Sequence, residues 1–326
     1  MLKINPLSTL YVGIDVSSKS NYVCALDFFK NNYINSSFAN NQPGAEELAL
    51  KILECLNQHP DLTMVVAALE STSVYSIHIA NYLSSCEELM RFKPYVFVLN
   101  PKCTANYKKS YIGLGKSDPI DAFVIADYAR AGNIESEPWR GSQFLALKRL
   151  TRHRIHLVEC MTREKTYLIS NLYLIFSELQ MLEGDDQPFC DIYGATSSSV
   201  LMEYLSPEEI LASSEENLIA FLAEKSRNRI KDISKTADLL KKAARDSYRL
   251  DKALYEPLNV SIASSFNCIE TFKREIKVID NAIEKEIKGL NPNAFIILQS
   301  IDGIGPVFAG GIIAEIGDIT AFHSLL

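Results

Sequence analysis

Apolar residues alternate in short runs before residue 100 and form long helical stripes after residue 140. Val12, Ile14 and Val16, then Tyr22, Cys24 and Leu26, occupy alternate positions, and Ser17-Ser18-Lys19 between them suits a hairpin. The pattern predicts strands over 10–16 and 20–28, with a third near 33–38. Pro43-Gly44 opens a helix over 44–58, with Leu48, Ile52, Leu53 and Leu56 on one face. Thr63 to Leu69 is a continuous apolar run, the mark of a strand buried on both faces. Glu70-Ser71-Thr72 ends it. A helix over 74–85 follows, then a buried strand from Tyr95 to Leu99, closed by Asn100-Pro101. The next helix covers 118–131. Ser117 or Asp118 caps it, Pro119 sits in the first turn where a missing N–H costs nothing, and Gly132-Asn133 ends it. Strands and helices in this order predict an α/β domain built on a mixed sheet.

Beyond residue 140 the period is helical. From Ser142 to about Leu179 no Gly or Pro interrupts a stripe that includes Leu147, Leu150, Leu157, Leu168, Leu172 and Ile175. A second long helix is predicted over 258–288, with Ile262, Phe266, Ile269, Ile276, Ile283 and Ile287. Such lengths suggest a coiled-coil arm or long bundle helices, paired antiparallel or with their copies in another subunit. Between them, 183–217 is acidic, broken by Gly184, Pro188, Gly194 and Pro207, and holds short helices at best. From Phe295 to Ala321 a helix, a Gly-Ile-Gly turn and a second helix read as a helix-hairpin-helix. Gly303 and Gly305 there would offer backbone N–H groups to a phosphate. The expected organisation is an α/β domain over 1–135, a helical region over 140–290 and a helix-hairpin-helix region over 291–326.

The net charge of −7 argues against nucleic acid only as an average. Four Lys and no acid fall between Lys102 and Ser117, and seven Lys/Arg against two Glu between Arg140 and Ser170. Ten Lys/Arg against four Asp fall between Lys225 and Lys252, while 178–217 holds ten acids and no base. A single basic segment reads as a solvated helix face, but three in one chain favour nucleic acid. Lys102, Lys108, Lys109, Lys116, Arg149, Arg152 and Arg154 are the expected contacts. Seven scattered cysteines without a C-x-x-C pair suggest a reducing, cytoplasmic setting. No apolar run reaches the roughly 20 residues of a membrane span.

Candidate chemistry lies in four carboxylates. Asp15 interrupts an apolar strand, where a carboxylate costs several kcal/mol to desolvate unless it is paired or holds a cation. Glu70 directly follows the buried strand ending at Leu69. Asp118 and Asp121, three apart in the first turn of a helix, project from one face. With the first and fourth strands as neighbours, the four acids would meet. Four acids in one place raise one another's pKa, and divalent cations resolve the conflict. All-oxygen ligation favours Mg²⁺ or Mn²⁺, the ions that flank a phosphate in many nucleases and polymerases. Lys116 would steady a phosphate oxygen. The bland alternative makes these residues caps and surface acids. His153, His156 and Cys160 share one helix face but lack a fourth ligand. Tyr107 and Tyr111 read as base-stacking or half-buried loop aromatics, and Trp139 as a packing anchor. No Walker, G-x-S-x-G or H-E-x-x-H motif occurs.

Four motifs together resemble one family: Tyr11-Val12-Gly13-Ile14-Asp15-Val16-Ser17, Glu70-Ser71-Thr72, Lys116-Ser117-Asp118-Pro119-Ile120-Asp121-Ala122, and Ile301-Asp302-Gly303-Ile304-Gly305-Pro306 followed by Ala314-Glu315-Ile316-Gly317-Asp318-Ile319. They look like the DEDD-type transposases of the insertion-sequence-110 family, relatives of the Piv invertase. The resemblance covers about 10–132 and 294–322. It implies a RuvC-like, ribonuclease-H-type domain in which Asp15, Glu70, Asp118 and Asp121 are catalytic and bind Mg²⁺. It implies a coiled-coil segment joining subunits into a dimer or tetramer, a C-terminal transposase domain, and a structured non-coding bridge RNA that pairs with DNA. It also implies a serine nucleophile beyond the last motif. Ser300 and Ser324 do not occupy that position, so the chain ending at Leu326 reads as C-terminally shortened. Asp302 stands where relatives often carry Pro. Alternative readings are a RuvC-type structure-selective metal nuclease, which needs no serine, and a non-catalytic nucleic-acid-binding fragment.

Overall fold

A computed structural model describes residues 4–71, 73–134 and 136–316 of the 326-residue chain. Thr72, Gly317, Asp318, Ile319 and Ser324, all named above, lie outside the described residues, as does the rest of 317–326. The described chain divides into two compact units, 4–146 and 147–316.

The first unit holds a five-stranded sheet. Its strands are β1 (Thr9–Val16), β2 (Ser20–Leu26), β3 (Asn32–Ala39), β4 (Met64–Glu70) and β5 (Tyr95–Leu99), in the order β3-β2-β1-β4-β5. β1 is antiparallel to β2 and parallel to β4, and β4 is parallel to β5. Four helices accompany the sheet: α1 (Gln42–Gln58), α2 (Tyr75–Ser85), α3 (Pro101–Lys108) and α4 (Asp118–Arg130). Alternation along β1 decides which helix covers which face. Leu10, Val12, Ile14 and Val16 join Leu48 and Ile52 of α1 and Ile79 and Leu83 of α2 in one core. Tyr11, with Val66, Ala68 and Phe97, packs on the opposite face against Ile125 and Ala129 of α4. Trp139 packs against the α1–α2 core, as an anchor should. β1 and β4 are therefore buried on both sides, which explains their nearly unbroken apolar sequence.

In this unit α3 departs from the sequence expectation. Asn100-Pro101 does close β5, but it also starts α3: the Asn100 side chain accepts from the Lys102 N–H at 3.0 Å, and Pro101 occupies the first helical turn. An Asn cap followed by Pro is a helix start. The cluster of lysines masked it by making 102–117 read as a charged loop.

In the second unit, α5 (Ser142–Ile175, from Leu147 onward) and α10 (Lys252–Leu290) are the long helices. They run antiparallel. Arg154 Nε donates to Asp280 Oδ1 at 2.5 Å, and Ser265 Oγ donates to Glu164 Oε1 at 2.5 Å. The acidic stretch folds into the short helices α6 (Ala195–Glu203) and α7 (Pro207–Ala212), ahead of α8 (Glu215–Ser226) and α9 (Ile233–Asp246). Leu168, Leu172 and Ile175 of α5 share a core with Leu222, Leu240, Ile262 and Phe266. α10 starts six residues earlier than expected and runs through Pro257. A proline inside a helix costs about 3 kcal/mol or more through its missing N–H and its ring; Tyr255 and Leu258 beside it pack against this core. α11 (Pro292–Gln299) and α12 (Pro306–Ile316) form a helical hairpin, with Gly303 at φ +88° in its turn, a conformation that favours glycine. Among the described residues, no helix is long and apolar enough to cross a membrane.

Candidate functional site

The strand register places the first two acids side by side. Ile14 pairs with Leu69, so Asp15 and Glu70 are the next residues on adjacent parallel strands. Both continue the row that faces α4, after Gly13 on β1 and after Val66 and Ala68 on β4. They stand at the carboxyl ends of parallel strands, where open α/β sheets place their ligands.

α4 supplies the other two. It approaches β1 closely because residue 13 is glycine: a Cβ there would overlap the Ala122 carbonyl oxygen and the Ala126 backbone. Ala122, Ile125 and Ala126 face the sheet. Asp118 and Asp121 lie one turn before Ala122 and Ile125, on the same stripe, and extend past the strand ends toward Asp15. Ser117 holds the N-cap position in extended backbone without a side-chain capping bond, and Asp118 is the first helical residue. Ser117 is thus the cap by position, its carbonyl accepting from the Ile120 and Asp121 N–H groups, but not through its side chain. Both acids gain from the positive end of the helix dipole. Gly13→Ala is expected to lower stability by about 1–3 kcal/mol through overpacking. The urea midpoint would show it; an unchanged midpoint would mean that α4 has room to retreat.

The electrostatics record the convergence. The Asp15 carboxyl is pushed up to about 6, first by burial and then by Asp121, Asp118 and Glu70, with Lys108 opposing. α3 reaches into the same place. Thr104 Oγ1, fully buried, donates to Glu70 Oε1. Lys108, one turn later on that face, places its Nζ on Asp121 Oδ1. Behind α3 is a buried node: Asp127, 1% exposed, accepts from Tyr107 Oη at 2.9 Å, from Tyr111 Oη, from Arg130 Nε at 2.6 Å and from Lys30 Nζ at 3.3 Å. Burial alone would raise the Asp127 carboxyl, but the bonds from Tyr111, Arg130, Tyr107 and Lys30 outweigh it and hold it below the usual range. Sequence reasoning missed Thr104 and Asp127. Asp127, an acid inside the apolar run of α4, was a readable signal.

The expected nucleic-acid contacts divide. Lys102 and Lys109 on or beside α3, Lys116 before α4, and Arg149 on α5 are exposed. The Lys108 ammonium is committed to Asp121. Arg152 pairs with Glu315 at 2.9 Å and Arg154 with Asp280 at 2.5 Å. Gly303 and Gly305 are exposed in the hairpin turn. The hydroxyls of Tyr107 and Tyr111 are hydrogen-bonded to Asp127, and both rings are half-buried.

The donor set is four carboxylates with no nitrogen or sulfur, which suits a hard divalent cation. Their mutual repulsion is what such a cation relieves, so the residues fit the group. Among the described residues, no three His, Cys, Asp or Glu already form a metal-holding group, at the four acids or along α5. At the acids, Thr104 and Lys108 occupy oxygens of Glu70 and Asp121. On α5, Cys160 Sγ lies 3.7 Å from His156 Nε2, with no fourth ligand in reach.

The sequence matches the profile of the DEDD-type transposases of insertion sequence 110 over residues 12–177, a little over half of the chain, a span that includes all four acids. No curated protein matches the chain.

Proposed function

The chain belongs to the DEDD-type transposase family of insertion sequence 110, and from that premise we propose that Asp15, Glu70, Asp118 and Asp121 form a Mg²⁺- or Mn²⁺-dependent site for breaking and joining DNA. The observation that carries this is the register that sets Asp15 beside Glu70 at the carboxyl ends of β1 and β4, where burial first, and then Asp121, Asp118 and Glu70, raise the Asp15 carboxyl. On this reading the first unit is a RuvC-like, ribonuclease-H-type domain. A bound divalent ion would polarise a phosphate and lower the pKa of an attacking hydroxyl. The chain's own residues fix the geometry. Adjacent strands hold Asp15 and Glu70, α4 holds Asp118 and Asp121, and Thr104 orients Glu70. Lys116 and Lys109, both exposed, meet the phosphate backbone.

The family also suggests that a structured non-coding RNA guides the protein and that a C-terminal serine joins the chemistry. The exposed run Arg227, Arg229, Lys231 and Lys235 supports a polyanionic partner for the second unit. Exposed Ile155, Tyr167, Tyr173 and Leu174 on α5, and Val260 and Val278 on α10, support a homo-oligomer, a dimer or tetramer, built through the long helices.

Electron paramagnetic resonance of free Mn²⁺, titrated with the full chain and a short DNA duplex, tests the metal site. Saturable binding is expected for the wild type and its loss for Asp15→Asn. Binding that ignores Asp15→Asn would overturn the assignment. A filter-binding series with structured RNA is expected to weaken steeply between 50 and 200 mM salt, about 10³-fold or more if six or more phosphates are contacted. A flat series would remove the polyanion partner.

A further inference from the structure

We propose that Lys108 is a resident cation of the carboxylate site, one that a divalent ion must displace and that a nucleic-acid phosphate draws away, so that phosphate binding and metal loading are coupled. This rests on the metal-site reading above.

The geometry begins with α3. Thr104 and Lys108 are four residues apart and project from one face onto Glu70 and Asp121 respectively. The α3 backbone is anchored independently, because Tyr107 and, just beyond the helix, Tyr111 both donate to the buried Asp127. Lys108 thus stands on a fixed helix, while its head sits at the end of four flexible methylenes. Its side chain is 22% exposed and that of Asp121 is 26% exposed, so the ion pair borders solvent. The head can leave Asp121 without α3 moving. Its charge acts on Asp15 as well as on Asp121.

A point charge on a flexible stem is the form in which lysine binds both carboxylate and phosphate. Without a second cation, Lys108 offsets part of the repulsion among four acids. A divalent ion arriving at Asp121 meets that ammonium and competes for the same oxygens, and two cations at one carboxylate repel. A phosphate entering beside the exposed Lys109 and Lys116 gives Lys108 another partner. Whatever free energy the phosphate contributes to moving Lys108 appears as tighter metal binding, and by reciprocity the metal tightens phosphate binding. Lys108 therefore keeps the carboxylates partly charge-compensated until DNA or RNA arrives.

The test is Mn²⁺ binding by the full chain, read as free Mn²⁺ by electron paramagnetic resonance, with and without a short DNA duplex. In the wild type the duplex is expected to tighten Mn²⁺ binding about tenfold, the usual order of coupling between two linked sites. Lys108→Met keeps the stem and removes the charge. It is expected to bind Mn²⁺ several-fold more tightly than wild type without DNA, and to gain less than twofold from the duplex. Lys108→Arg, which keeps the charge, is expected to stay weak without DNA. Thermal melting by circular dichroism shows whether each variant is folded. If wild type binds Mn²⁺ in an Asp15-dependent way but Lys108→Met binds no more tightly, or keeps the full response to the duplex, the resident-cation role is wrong and the metal site stands. If wild type with duplex binds no Mn²⁺, the metal-site reading falls and takes this inference with it.

Discussion

Lowering the pH from 7.5 to 5 is expected to weaken Mn²⁺ binding about tenfold, and Asp15→Asn is expected to abolish both the binding and its pH dependence. Asp15 is the reason. Burial and then Asp121, Asp118 and Glu70 push its carboxyl up to about 6, so without metal it is largely protonated at pH 5 and ionised at pH 7.5. A divalent ion binds the ionised form and must expel that proton. One proton with a pKa of about 6 costs a factor of about ten at pH 5 and almost nothing at pH 7.5. Calorimetry in two buffers of different ionisation enthalpy would count nearly one proton released per binding event at pH 5. No proton released at that pH would place Asp15 outside the metal's reach.

The same shift has an opposite sign for stability. Asp15 holds its proton more tightly folded than unfolded, so its contribution is present below the ordinary carboxylate pKa and is lost as pH rises toward 6. Asp27 and Asp127 act the other way. In each, burial pushes the carboxyl up and hydrogen bonds more than reverse it: Asn31 and Tyr33 for Asp27, and Tyr111, Arg130, Tyr107 and Lys30 for Asp127. Both contribute above the ordinary carboxylate pKa and lose that contribution as pH falls through their lowered values. The acid of the site opposes folding near neutrality while the structural acids promote it. This is the pattern expected where a carboxylate is kept for a ligand and not for the fold.

Much of this was legible in the chain. Alternation gave β1 and β2, continuous apolar runs gave β4 and β5, and the Pro-Gly and Ser-Asp-Pro starts gave α1 and α4. The candidate acids stood out because Asp15 interrupts and Glu70 borders an apolar strand that cannot solvate a charge, and because Asp118 and Asp121 share one face of a helix's first turn. The strand pairing that sets Asp15 beside Glu70 was inferred from order alone, and the observed parallel register of β1 and β4 agrees. What stayed hidden is the layer behind the acids. Lys108 read as a nucleic-acid contact because sequence shows its neighbours along the chain, three of them lysines within 102–117, and not Asp121 across a helix crossing. Thr104 is an unremarkable residue until β4 ends beneath it. Gly13 passed as part of a motif, and its physical role, the close approach of α4, depends on a partner more than a hundred residues away. Long-range partners of this kind are set by tertiary packing, which local pattern does not encode.

Asp127→Ala is expected to destabilise the first unit by roughly 3–5 kcal/mol, the cost of leaving charged and polar partners of a buried acid unpaired. Two tyrosine hydroxyls, Arg130 and Lys30 all converge on this one carboxylate. Removing it takes the charged acceptor from Tyr107 and Tyr111 and leaves Arg130 with the Phe28 carbonyl at 3.2 Å and the Phe28 ring. Asp127→Asn keeps the volume and one acceptor oxygen but loses the charge, so it is expected to fall between wild type and Asp127→Ala. The damage should be directional. α3 is tied down at its far end by Tyr107 and Tyr111, so its amide protons should exchange much faster in Asp127→Ala, while those of β1 and β4, buried on both faces, keep most of their protection. Once α3 loosens, Thr104 and Lys108 lose their fixed places over Glu70 and Asp121. Mn²⁺ binding without DNA would then rise toward the Lys108→Met value even though no residue of the carboxylate site has changed. Uniform loss of protection across the sheet and α3 alike would instead make Asp127 a general support of the fold, with no particular hold on the helix that covers the acids.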